Sequence, residues 1–102
     1  MPRRKRCRNI ECMPGVTLFK PAGIPAFNLD TIDIGIDEIE AIRLADKEGL
    51  YQDEAALRMD VSRQTFGRII ESAHWKIAVA LTDGKALRIK NINEINITNK
   101  KL

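Results

Sequence analysis

The chain has 102 residues, 44% apolar and 30% charged, which suits one domain with a modest core rather than a disordered segment. No apolar run approaches the ~20 residues of a membrane span. The start, Met-Pro-Arg-Arg-Lys-Arg, has no hydrophobic stretch after it and is not a secretory signal, so a cytoplasmic protein is expected.

Residues 1–15 read as a basic, irregular N-terminal arm carrying Arg3, Arg4, Lys5, Arg6 and Arg8. Cys7 and Cys12 are the only cysteines. One pair makes a poor disulfide framework, and a zinc site normally takes four ligands, so two reduced thiols are expected and no metal or other cofactor. Residues 16–19 form a short β-type run, stopped by Pro21, Gly23 and Pro25. Residues 29–34 alternate loosely, as a strand does.

Helix 1 follows, with Gly35 at the N-cap and Glu38 three positions on, a weakened capping box. Ile34 and Ile39 have the spacing of a hydrophobic staple. The buried stripe is Ile39, Ile42 and Ala45, or else their neighbours Ala41 and Leu44. Asp37, Glu38, Glu40, Asp46 and Glu48 are distributed as a solvated face, and Gly49 is a suitable stop.

Residues 52–71 read as a helix-turn-helix. A short helix over residues 52–59 carries the small pair Ala55 and Ala56, which permits close helix packing. A corner at Asp60 and Val61 follows, and Ser62 is a natural N-cap, accepting from the amide of Gln64 or Thr65. Such corners usually hold Gly because the backbone is left-handed there, and Asp tolerates that conformation better than most residues. Helix 3 begins at Ser62 and ends at Asp83-Gly84, with Phe66, Ile69, Ile70, Ala73, Ile77, Ala80 and Leu81 at helical spacing. Val61, Phe66 and Ile69 fill the wedge between the helices, leaving Arg63, Gln64 and Arg68 outside it. Trp75 is expected to pack on the domain or on a second chain, and His74 reads as a surface or packing residue. Residues 85–90 read as a strand that pairs with residues 29–34 or 16–19. The tail, residues 91–102, reads as a further strand, a swapped arm or disorder.

The fold class is therefore mainly α with minor β (α+β): a three-helix helix-turn-helix core with a long third helix and short flanking strands over residues 16–90, between the arm and the tail. At the start of helix 3, free amides favour a phosphate. Arg63, Gln64 and Arg68 read as base-edge readers, Arg for guanine and Gln for adenine, or else as an ordinary solvated helix face, and Thr65 suits a phosphate or a thymine methyl. Gly67 costs helix stability, which close approach of DNA or of another helix explains.

Net charge is +3, and its distribution says more. Nine of the fourteen carboxylates lie between residues 30 and 54, flanked by the arm and by Arg58, Arg63, Arg68 and Lys76. That layout fits a DNA face and a non-DNA face, although basic termini also read as solvated tails. No GxxxxGK[ST], HExxH, GxSxG or EF-hand spacing occurs, so an enzyme is not expected.

Residues 49–73, above all Ser62-Arg63-Gln64-Thr65-Phe66-Gly67-Arg68, closely resemble domain-of-unknown-function family 134, small bacterial and archaeal proteins regarded as DNA-binding. Residues 37–46, 17–25 and 84–89 fit the same family, so the resemblance runs over roughly residues 3–90. Residues 52–71 are also similar to region 4 of sigma-70-type factors, which implies a DNA role for Arg63, Gln64, Thr65 and Arg68. No region 2 for binding core polymerase is present. Some relatives carry a further domain similar to nitrogenase iron–molybdenum cofactor-binding proteins, for which this sequence is too short. The function expected is a sequence-specific DNA-binding transcriptional regulator. A homodimer is expected, with Ser62, Arg63, Gln64, Thr65 and Arg68 on double-stranded DNA and Arg3, Arg4, Lys5 and Arg6 on phosphates or in a minor groove. RNA polymerase is a further candidate partner. The alternatives are a protein–protein adaptor docking through acidic helix 1, and a metal- or redox-responsive switch through Cys7 and Cys12.

Overall fold

A computed structural model describes residues 8–91 and, for the backbone alone, residues 95–101. The described elements are strands β1 (Arg8–Met13), β2 (Leu18–Phe19) and β3 (Thr31–Gly35), helices α1 (Ile36–Ile42), α2 (Gln52–Met59) and α3 (Arg63–Asp83), then strands β4 (Ala86–Lys90) and β5 (Ile95–Lys101). The architecture is mixed α and β, three helices with a small three-stranded sheet. In that sheet β4 is central, antiparallel to β2 and parallel to β3. Residues 85–90 thus pair with both of the strands that the sequence offers as partners.

The arm departs from its reading as irregular. Arg8–Met13 is a strand, and it pairs in parallel with β5 through Arg8↔Ile95, Asn9↔Asn96 and Ile10↔Ile97. Ile10 is fully buried in the common core, where β1 packs against α1 and α2. An apolar anchor among cations is enough to dock a strand once a receiving surface exists, and the linear sequence does not show that surface.

Glycine at position 35 starts α1 because space is short there. A Cβ on Gly35 would collide with the carboxylate of Asp37. Glycine has no side chain to complete a reciprocal cap, so the work is shared. Glu38 Oε1 accepts from the Gly35 amide at 2.7 Å, and Asp37 Oδ1 accepts from the Glu38 amide at 2.9 Å. The helix then widens through Arg43–Lys47 into a π-turn, with the Glu48 amide donating to the Arg43 carbonyl at 2.8 Å. Gly49 (φ 77) turns the chain left-handed, and the Leu50 amide closes the end on the Leu44 carbonyl. Of the two stripes offered for this helix, Ala41 and Leu44 are the fully buried one, with Ile36 beside them, whereas Ile39, Ile42 and Ala45 are half-buried.

The acidic face is the second correction. Asp37, Glu38 and Glu40 are buried, Glu40 completely. Burial of a carboxylate is tolerated only with partners, and each has them. Glu40 accepts from Arg43 Nε and Nη2, both at 2.9 Å, and from the Glu11 amide at 2.9 Å. Glu11 in turn takes Arg43 and both Nε and Nη2 of Arg58, so one ionic network joins β1, α1 and α2. The hydrogen bond from Arg58 holds the Glu11 carboxyl below its ordinary range, against a smaller opposing effect of burial. Lys76 and Ser72 of α3 hold Glu38. Asp46 and Glu48 are exposed, as a solvated face requires.

One residue of α3 lies elsewhere than the helical spacing suggests: Leu81 is 77% exposed. Trp75 is 64% exposed, so of its two expected places, the domain or a second chain, the domain covers only a minor part of it. Phe66, Ile69, Ile70, Ala73 and Ala80 are buried as the spacing predicts. Leu81 borders a shallow cleft with Phe19 of β2 and Leu87 of β4.

Candidate nucleic-acid interface

The site is built on one turn. Asp60 has φ 57 and ψ 46, the left-handed conformation. Its amide reaches the Leu57 carbonyl at 3.1 Å, and the Val61 amide reaches Ala56 at 3.0 Å, so the end of α2 is satisfied while the chain reverses direction. Ala55 and Ala56 are buried at the α2–α3 contact with Met59 and Phe66, and small side chains there bring the helix axes close.

Ser62 then caps α3. Its Oγ accepts from the Thr65 amide at 3.0 Å and donates to Thr65 Oγ1 at 2.9 Å. Of the two amides offered, Gln64 and Thr65, the cap takes Thr65. Arg63, Gln64 and Arg68 are exposed and Thr65 is half-buried. Neither Arg63 nor Arg68 has a carboxylate partner among the described residues, unlike Arg43, Arg58, Lys76 and Arg88, each bound to one. Uncompensated positive charge on this surface is thus concentrated on the first two turns of α3. Arg3, Arg4, Lys5 and Arg6 lie outside the described residues.

Beside these turns is an open cleft of about 660 Å³, lined by Gln52, Gln64, Gly67, Arg68, Glu71 and His74 among others. His74 Nε2 lies 2.7 Å from Asp46 Oδ2, which fixes the far wall. Gly67 borders the cleft. A Cβ there would meet only Gln52 Oε1, at an ordinary 3.7 Å, so packing within the chain does not require glycine. Sequence reasoning did not find Gln52 as part of this surface. Its place at the start of α2 was the only signal, since the cleft exists only once the corner has folded.

Among the described residues no three His, Cys, Asp or Glu side chains gather as a metal site, and Cys12 is a half-buried free thiol. Cys7 lies outside the described residues. No helix among them is long and apolar enough to cross a membrane.

The family described as "Protein of unknown function DUF134" matches residues 1–96. The chain belongs to that family. It is similar to the UPF0251 protein of Prosthecochloris aestuarii, 58% identical over 88 residues that cover 86% of this chain and 57% of the relative. A UPF0251 protein of Moorella thermoacetica is 53% identical over 90 residues, 88% of this chain and 60% of the relative. One from Vibrio vulnificus strain YJ016 is 55% identical over 91 residues, covering 89% of this chain and 91% of the relative. This DUF134 chain therefore spans about three fifths of the first two relatives and nearly all of the third. No solved structure matches it significantly.

Proposed function

We propose that this DUF134 chain is a sequence-specific DNA-binding protein and transcriptional regulator, with α2, the Asp60 corner and α3 acting as a helix-turn-helix similar to sigma-70 region 4. The observation that carries the reading is the combination at α3. A left-handed corner leads into its first turn, and Arg63, Gln64 and Arg68 stand exposed on the first two turns without carboxylate partners among the described residues. A major groove takes a helix in that attitude. Arg63 and Gln64 reach base edges, and Ser62 and Thr65 lie where a helix start meets a phosphate. A homodimer on a two-fold operator, and contact with RNA polymerase, belong to the same proposal.

The test is selection of duplexes from a random library by the purified chain. A shared motif, bound less tightly by Arg63→Ala and Gln64→Ala, is the expected result. Equal affinity for all sequences, unchanged by either substitution, would overturn the reading. For the adaptor alternative, Asp37, Glu38 and Glu40 of α1 are buried, which leaves Asp46 and Glu48 as the exposed acids of that face.

A further inference from the structure

A second, smaller notch of about 200 Å³ opens beside α3, lined by Arg8, Arg68, Lys76 and Ser72 together with Asp37 and Glu38. Three cations face two carboxylates. Glu38 is already engaged by Lys76, Ser72 and the Gly35 amide. Arg8 is not matched in the same way. Its Nη1 lies 3.4 Å from Asp37 Oδ2, too long for a charge-assisted hydrogen bond, and its Nε and Nη1 are buried without a hydrogen-bond partner among the described residues. Buried guanidinium donors without acceptors are costly unless something supplies an acceptor. Arg68, on the rim of this notch and also of the larger cleft, brings a second guanidinium with no carboxylate partner among the described residues.

We propose that this notch seats a phosphate, held by the guanidinium groups of Arg8 and Arg68 with Lys76 and Ser72 beneath, and that the phosphate belongs to the DNA strand bordering the groove that α3 enters. The assignment rests on the DNA reading above for the source of the phosphate, but not for the site. It moves Arg68 from base reading to backbone contact and gives Arg8 a part in binding. Two guanidinium forks suit the oxygens of a phosphodiester, which a single ammonium does not match in geometry.

The site and its source are tested separately. In the first arm, inorganic phosphate is titrated into the full chain while the Nε–H resonances of Arg8 and Arg68 are followed by NMR. Both are expected to shift and saturate, and chloride at equal ionic strength is expected to leave them in place. Unmoved resonances would overturn the seat. In the second arm, a bound duplex carries neutral methylphosphonate linkages one position at a time. One position is expected to weaken the wild-type chain and to have no effect on Arg8→Gln. That variant is expected to weaken all sequences alike and to lower the salt slope by about 1, so that about fourfold less affinity is lost between about 50 and about 200 mM salt. If Arg8→Gln fails to fold, Arg8→Lys keeps the charge beside Asp37 and loses only the fork. If wild type and variant respond alike at every linkage, the backbone assignment is overturned. Absence of any duplex binding with phosphate still shifting both resonances would end the DNA reading and leave free phosphate as the ligand.

Discussion

Glu38 and Lys76 meet carboxylate to ammonium at 2.8 Å, joining the first turn of α1 to the middle of α3. Burial pushes the Glu38 carboxyl up, but the bonds from Lys76, Ser72 and the Gly35 amide outweigh it and leave it below its ordinary value of 4.5. A carboxyl depressed in the folded state stabilises the fold above its unfolded value and loses that contribution as acid protonates it. Glu11 acts in the same direction. Unfolding free energy from urea titrations is therefore expected to be level near neutral pH and to fall as pH drops below about 4.5. Glu38→Gln is expected to flatten part of that fall. An acid limb identical to that of the wild type would show that Glu38 contributes nothing to it.

Glu40 has no exposed surface, and its acceptors are used by Arg43 and the Glu11 amide. Glu40→Ala removes the acceptor of Arg43 Nε and of a strand amide, while Arg43 keeps Glu11 and Glu48 as ionic partners. The expected loss is about 1–3 kcal/mol, the range for leaving buried donors unsatisfied. The midpoint of chemical unfolding measures it, and a loss below about 1 kcal/mol, as for an exposed pair, would contradict the role given to Glu40.

The corner at Asp60 makes opposite predictions for two substitutions. Asp60→Gly relieves a left-handed φ and is expected to be neutral or slightly stabilising. Asp60→Val places a β-branched residue there and is expected to cost about 1–2 kcal/mol. Thermal unfolding of the pair separates them, and equal stability would mean that the corner is not left-handed in solution.

Gly67 separates fold from function. With only Gln52 nearby, Gly67→Ala is expected to stabilise α3 by about 1 kcal/mol through helix propensity. If DNA approaches at this point, the same substitution weakens binding. A variant that is both more stable and equally tight would mean that the glycine does not serve close approach.

Much of this fold is written locally. The ends of α2 and α3, the Asp60 corner and the Ser62 cap follow from residues within four positions of one another, and the structure has them where the sequence puts them. Burial of Asp37, Glu38 and Glu40 is not legible in the sequence for a non-local reason. Their spacing is that of a solvated face, and only the fold brings Arg8, Lys76 and the Glu11 amide to them from remote segments. The strand in the arm escaped notice likewise, because β1 needs β5 from the other end of the chain to pair with. At the candidate interface, exposure of Arg63, Gln64 and Arg68 was legible from helical phase. The notch beside Arg8 is not, since it is lined by three elements, β1, α1 and α3, that are remote in sequence.

The pairing of Arg8 with Ile95 also has a kinetic meaning. Helices α2 and α3 are joined by a three-residue hinge, whereas β1 and β5 pair across more than eighty residues of sequence, a closure expected to come late. Amide exchange in Arg8–Met13 is accordingly expected to run ahead of that in the buried middle of α3.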